Sequence, residues 1–392
     1  MNIRRRVLTS LTMIGASFFV AAVASANGTL IRWHKMGEEE GGTNNSPVST
    51  TLDTPVGVID GNPDIQPLDL TALNTPTYRT ISGRPDGGGG IGIEFSAAQQ
   101  ESLTGASLNW PEESQLSDAE GGLYDLVGIA DRGFQFWVRP TSAAVQSLVM
   151  DTNQHGVRIN SNGKFSMRYD SVDYESTVTV APNTWYHVEV VRPSGAAGGS
   201  RMYVNGNAVA AVPDIDYAAD QVTNLTVGSN TAGDGEFFSG IVDDLRMQVF
   251  GTSTSPTPFN YGAFNFAVDN AFAASPVSGI KGIAGDVSNN GILGNEDKTA
   301  FIAGWMDRRL VNGVQIGDLT SRSQGDLNLD GITNIQDLLL LQNALIGAGM
   351  ATITAAELAG VPEPSTAILA ALALVSLARR RNSRCPIDTP NA

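Results

Sequence analysis

The chain has 392 residues, 43 of them glycine, and a net charge of −16. That length exceeds one ordinary core, so two domains joined by linkers are expected, and the Gly-, Thr- and Ser-rich make-up favours turns and strands over long helices. The acidic balance argues against a nucleic-acid partner, because phosphates are held by Lys and Arg, and it suits an extracellular protein that binds divalent cations; with Cys385 as its one cysteine, neither an internal disulfide nor a multi-cysteine zinc site can form.

Residues 1–26 have the order of a secretory leader. Arg4, Arg5 and Arg6 precede an apolar run over 7–23, and Ala24-Ser25-Ala26 offers small residues to a signal peptidase. Cleavage would leave Asn27 as the mature N-terminus. The alternative is an uncleaved N-terminal anchor.

Residues 27–251 read as short strands separated by turns, the pattern of an antiparallel sandwich or jelly roll. Phe134-Gln135-Phe136-Trp137-Val138 ends at Pro140, and strands follow at 147–150, 156–160 and 164–169. Asn160-Ser161-Asn162-Gly163 and Asn205-Gly206 are hairpin turns, since Asn and Gly tolerate positive φ. Alternation over 185–191 puts Trp185, His187, Glu189 and Val191 on one face. Later strands are expected at 225–228 and 241–247.

The stretches NTWYHVEVVRPSG (183–195), RMYVNGNAV (201–209) and FFSGIVDDLRMQVFG (237–251) resemble the LamG-type concanavalin A-like jelly roll. RWHKMGEEEGG (32–42) and GIGIEFSAAQQESL (90–103) resemble its early strands. The resemblance implies binding to a glycan or a surface protein, or service as a spacer. Enzymes on related sandwiches carry Glu-x-Asp-x-x-Glu on one strand, and no Glu-x-Asp occurs in this sequence. No catalytic residue is assigned. His34, His155 and His187 are far apart, and His187 is expected to pack structurally. Asp243 and Asp244 are expected to anchor the closing strand, with calcium ligation as the alternative. Trp110, Tyr169, Tyr174 and Tyr217 are candidate stacking platforms for sugar rings, against ordinary half-buried packing.

Residues 252–280 have linker composition, with 259–276 ambiguous. An internal repeat then begins at Gly285 and again at Gly325. Calcium loops of twelve residues supply oxygens from positions 1, 3, 5, 7, 9 and 12, with glycine at 6 for the turn. In the second copy these positions are Asp326, Asn328, Asp330, Ile332 (carbonyl), Asn334 and Asp337, around Gly331. In the first they are Asp286, Ser288, Asn290, Ile292 (carbonyl) and Asp297, around Gly291, and position 9 is Gly294. Ca2+ is the expected cofactor, and the second loop, with more carboxylates, is expected to bind more tightly.

Each loop runs into a helix: Ile335, Leu338, Leu341 and Leu345 share one face, and Phe301 and Trp305 are four apart. Paired loop-and-helix units over 281–350 resemble a type I dockerin. That resemblance implies a cohesin-like partner read at loop positions 10 and 11. Here those pairs are Asn295-Glu296 and Ile335-Gln336, and they differ, so an intramolecular calcium-stapled module is the alternative.

After a linker at 351–361, residues 362–384 hold Pro362-Glu363-Pro364, an apolar segment at 367–378 and Arg379-Arg380-Arg381. The order resembles a PEP-CTERM sorting signal, which implies processing by an exosortase after transient membrane insertion, with arginines held on the cytoplasmic side. A plain tail anchor is the alternative. Together these features lead us to expect a non-enzymatic protein exported to the surface or matrix of a Gram-negative-type bacterium. It would bind glycan or protein through its sandwich. An accessory polysaccharide hydrolase and a purely structural envelope or biofilm component are the alternatives.

Overall fold

A computed structural model describes residues 29–38, 40–52, 69–85, 90–106, 131–151, 156–169, 172–192, 200–211, 224–250 and 283–359. The leader, the linker at 252–280 and the C-terminal sorting segment lie outside these residues, as do His155, Trp110 and Tyr217. Among the described residues no helix is long and apolar enough to cross a membrane.

The described strands are β1 (Thr29–His34), β2 (Thr50–Thr51), β3 (Leu70–Leu73), β4 (Thr77–Ile81), β5 (Gly90–Phe95), β6 (Ser102–Ala106), β7 (Asp131–Pro140) and β8 (Gln146–Asp151). They continue with β9 (Gly156–Ile159), β10 (Lys164–Tyr169), β11 (Val172–Thr179), β12 (Tyr186–Arg192), β13 (Arg201–Val204), β14 (Asn207–Ala211), β15 (Asn224–Val227) and β16 (Gly240–Phe250). They form two eight-stranded antiparallel sheets. One, sheet A, runs β14-β13-β12-β7-β16-β5-β4, with β1 also paired to β16; the other, sheet B, runs β11-β10-β9-β8-β15-β6-β3-β2. This is the expected mainly-β sandwich.

Side chains alternate across each strand, so one face of each sheet supplies the core. Phe134, Phe136 and Val138 of β7 and Val188 and Val190 of β12 meet Val157 and Ile159 of β9 and Phe165 and Met167 of β10 in one buried cluster. Leu245 is fully buried there. Trp185 is not in that cluster: it joins Ile81, Trp137 and Ile241 on the outward face of sheet A, together with buried His187 and Glu189. Two expected hairpins form as read. The Asn160–Gly163 turn joins β9 to β10, and Asn205 and Gly206 both take positive φ between β13 and β14.

The C-terminal module holds helices α1 (Asn295–Ala303), α2 (Leu319–Arg322), α3 (Ile335–Gly347) and α4 (Ala355–Ala359), and a short hairpin of β17 (Leu310–Val311) and β18 (Val314–Gln315). Val287, Phe301, Leu338, Leu341, Leu345 and Ile353 make its core. Two expectations are corrected here. Ile335 is 58 % exposed, because the Asn334 cap starts the helix with Ile335 turned away from the face that carries Leu338, Leu341 and Leu345. Residues 351–359, read as linker, fold back on the module: Ile353 is buried, and its carbonyl accepts a 2.6 Å bond from Gln342 Nε2.

Candidate functional site

Two groups of functional side chains can be built from these elements. The first lies on the outward face of sheet B. With Val157, Ile159, Phe165 and Met167 turned inward, Arg158 of β9 and Arg168 of β10 must point out. Asp173 of β11 lies opposite Arg168 in the register. Glu236 arrives from the loop before β16, at φ 51°. Arg158 Nη1 is 2.8 Å from Glu236 Oε1, and Arg158 Nε is 3.6 Å from Asp173 Oδ2. Arg168 Nη1 stands 3.7 Å from Asp173 and 3.9 Å from Glu236. Ser147 Oγ donates to Glu236 Oε2 at 2.6 Å.

Burial raises the Asp173 carboxyl, the Arg158 charge pulls it down, and the neighbouring Glu236 adds to the rise; the net shift is upward. The two carboxylates are only partly covered, with side-chain exposures of 29 % and 28 %. The cluster is therefore a patch of alternating basic and acidic groups whose carboxylates water and a polar ligand can reach. Nearby, Glu175 accepts from Asn162, Lys164 and Asn160, and these bonds hold its carboxyl down to about 2, so it braces the β9–β10 turn as a permanent anion. Tyr174 is half-buried against the core, which is the ordinary packing alternative for that ring. The side chain of Tyr169 lies outside the described set.

Asp243 and Asp244 sit on the opposite sheet and serve as struts. Arg84 bridges them, bonding Asp243 and standing 2.9 Å from Asp244. Trp33 Nε1 donates to Asp244 at 3.0 Å, and Arg246 Nη2 reaches it at 3.2 Å. Burial and the adjacent Asp244 charge push Asp243 up, while for Asp244 the opposing effect of burial is outweighed by Arg246 and Arg84, and its carboxyl is lowered. This ties β16 to β1 and to the segment after β4. His187 Nε2 lies 2.8 Å from Gln135 Oε1, and burial, helped by Arg246, lowers the imidazole to about 3. A ring that stays neutral in this way is a packing element.

The second group is the pair of loops. Asp286 accepts from the backbone N–H of Asn290 at 3.1 Å and of Gly291 at 2.7 Å; Asp326 accepts from Asp330 at 3.0 Å and Gly331 at 2.8 Å. Asp297 accepts from Ser288 and Gly294, and Asp337 accepts from Leu327, Asn328 and Asn334. The first and last positions of each repeat thus fold the loop around themselves in the same way. Gly331 has φ 86°, and a Cβ there would lie 2.8 Å from the Ile316 backbone, so position 6 admits only glycine without rearrangement.

Among the described residues no group of three or more His, Cys, Asp or Glu side chains is placed to hold a metal by those groups alone. Beside its carboxylates the second loop carries neutral oxygens of the kind calcium takes, the Ile332 carbonyl and the Asn328 and Asn334 amides; in this structure the Asn334 amide oxygen accepts from the Gln336 N–H, and the Ile332 carbonyl accepts from Asn334 Nδ2 at 3.4 Å. In the second loop burial, with Asp337 and Asp330 nearby, pushes Asp326 up to about 7, and Asp337 is raised as well. Asp326, Asp330 and Asp337 crowd one another, and a hard divalent cation would relieve their mutual charge. The first loop has fewer anions, with Ser288 and Asn290 at positions 3 and 5 and the carbonyl of Ile292 at 7.

Sequence reading singled out the loop residues but not Arg158, Arg168, Asp173 and Glu236. Glu236 stands 78 positions from Arg158, a separation that leaves no local pattern to read.

No curated protein matches the chain. Solved structures with a related course of chain include domain 4 of an extracellular arabinanase from Geobacillus stearothermophilus in complex with arabinotriose. That pair is 13 % identical, covers 58 % of this chain and 96 % of the other, and has a TM-score of 0.34. The receptor-binding domain of a botulinum neurotoxin of mosaic serotype C/D is 12 % identical, with 56 % and 47 % covered and a TM-score of 0.35. A Trypanosoma rangeli sialidase is 10 % identical, with 56 % and 31 % covered and a TM-score of 0.36. The chain therefore spans nearly all of the arabinanase domain, but less than half of the toxin domain and under a third of the sialidase. Residues 129–255, which run from just before β7 to just beyond β16, match the Laminin_G_3 family of the concanavalin A-like lectin/glucanases superfamily.

Proposed function

We propose that this chain is an exported, non-enzymatic surface or matrix protein whose sandwich binds a glycan or a surface protein and whose paired loops bind calcium. The observation that carries the binding half is the Arg158–Arg168–Asp173–Glu236 patch on the outward face of a concanavalin A-like domain. Guanidinium and carboxyl groups set side by side suit the hydroxyls and charged substituents of a sugar. Export rests on the order of charged, apolar and small residues in the leader, and sorting on the Pro362-Glu363-Pro364 tail with its apolar and arginine segments. Whether the loop module also takes a cohesin-like partner is decided by the same material: capture of such a partner only with calcium present supports a docking role.

The test is a glycan array probed with the full chain and with Arg168→Ala. Specific glycan retention that falls at least about tenfold in the variant supports the reading; one lost charge-assisted contact is worth that much. Reducing-sugar release from a polysaccharide would replace it with the hydrolase alternative. Retention that is equal in both proteins would move binding off this patch.

A further inference from the structure

Strand β14 ends sheet A, and among the described residues no further strand lies on its outer side. An edge of this kind presents unpaired backbone groups that can template another chain. Here the C-terminal module takes them. The Ala208 N–H donates to Asp318 Oδ2 at 3.0 Å, and the Ala208 carbonyl accepts from Arg309 Nη2 at 3.2 Å. The Ala211 carbonyl accepts from Asn312 Nδ2 at 3.2 Å, and the Gly206 carbonyl accepts from the Leu319 N–H at 3.3 Å. Beside these bonds Tyr203, Ala208 and Ala211 of the sheet pack with Val311 and Ile316 of the module in a small buried cluster. The Asp318 side chain is completely buried, with Arg309 Nε 3.0 Å away. Side chains of the module thus do for β14 what a neighbouring strand would do.

The same segment is fastened to the second loop. The Arg309 N–H donates to the Gly331 carbonyl at 2.9 Å, and Gln315 Nε2 donates to the Asp330 carbonyl at 2.8 Å. Ser321 joins the two ends: its N–H donates to Asp318 Oδ1 at 2.9 Å, and its hydroxyl donates to Asp326 Oδ2 at 2.7 Å. Asp326 opens the loop and Asp318 grips the strand, so one serine stands between them. The close approach of Gly331 to Ile316 leaves the loop no slack against this segment.

We infer that the module is an intramolecular clasp closing the open edge of sheet A, and that calcium in the second loop tightens it. The calcium half rests on the reading of the loops proposed above; the clasp rests on the contacts at β14. The experiment is site-resolved amide exchange on the full chain. Asp318→Ala speeds exchange at Ala208 about ten- to a hundredfold, the worth of a hydrogen bond to a charged group, and leaves Val188 in the middle of sheet A unchanged. Arg309→Ala, which keeps the acceptor and is the milder change, gives a smaller rise at the same amide. Calcium slows Ala208 exchange in the parent, and Asp326→Ala loses that slowing. Calorimetry on the same samples records binding. Unchanged Ala208 exchange in both interface variants overturns the clasp. Calcium that binds without altering Ala208 overturns the coupling. Absence of binding overturns the coupling together with the calcium reading, and the interface variants still decide the clasp.

Discussion

The sandwich and the loop module are held together by opposite means. Between its sheets the sandwich buries large apolar side chains, Phe134, Phe136 and Phe165 among them, and its charged residues are struts on the outward faces. The module has six buried apolar side chains in its core and places Asp286, Asp297, Asp326 and Asp337 inside, each wrapped in backbone N–H groups. The difference shows two ways to fix a chain. One removes apolar area from water and is insensitive to ions. The other buries charge, which is stable only while every anion is satisfied.

The sharpest break of this comparison is Leu245→Ala. It empties a site in the middle of the sandwich core and is expected to cost about 2–5 kcal/mol. Denaturant melts in calcium and in chelator should show the same loss; a loss that depends on calcium would erase the distinction between the two regions.

Next in size is the contrast between the loops. Asp326→Ala takes the acceptor from the Gly331 N–H, while the Asp330 N–H keeps Asn328 Oδ1 and the Ser321 hydroxyl keeps the Asp318 carbonyl; the change should cost about 1–3 kcal/mol and abolish most calcium-induced helicity. Asp286→Ala should remove only a weaker calcium phase, because the first loop has fewer anions. Circular dichroism with calorimetry decides it, and equal losses would refute the ranking.

Protons sharpen the comparison from the other side. His187 is buried with its imidazole lowered to about 3 from 6.5, so the folded form binds its proton later than the unfolded form. Its contribution is fully present above pH 6.5 and is lost as pH falls toward 3, by at most about 1.4 kcal/mol per pH unit. His187→Gln should flatten the acid limb of the sandwich melt by that slope, whatever its effect at neutral pH. A parent and variant with parallel acid limbs would remove His187 from the account.

The smallest expected effect concerns capping. Asn334 accepts from the Gln336 N–H at the start of α3, whereas Gly294 at the start of α1 has no side chain to do so. Gly294→Asn has an extended backbone to occupy, and the atoms it meets are the movable end of Glu296. It should stabilise the module by a few tenths of a kcal/mol, read as a small rise in thermal midpoint. A fall would mean that Glu296 holds a position the new side chain takes from it.

Sequence patterns located the parts built from local rules. Alternation and Asn-Gly turns found the β9–β10 and β13–β14 hairpins, and the repeat spacing marked the two segments that each run into a helix. Other parts were lost for physical reasons. The β17–β18 hairpin has two residues per strand, too few for an alternation to register, although Asn312-Gly313 is a readable turn signal. Asp318 carries the local mark of a helix cap, but its bond to Ala208 spans 110 positions and has no trace in either segment. The charged patch on sheet B is likewise assembled by register. Alternation put Trp185, His187 and Glu189 on one face but could not tell whether that face meets the other sheet; Trp185 packs on the far side, with Ile81, Trp137 and Ile241.

The pairing of β1 with β16 has a mechanical consequence. Thr29 lies opposite Val249, so the two ends of the sandwich leave side by side. A pull applied between those ends opens the β1–β16 ladder one rung at a time, a peeling geometry that yields at low force, and the rest of the sandwich hangs beside the line of tension. A pull entering from beyond residue 359 meets the contact at β14 first. The module then acts as a shackle, and the sandwich feels the load only after that contact slips.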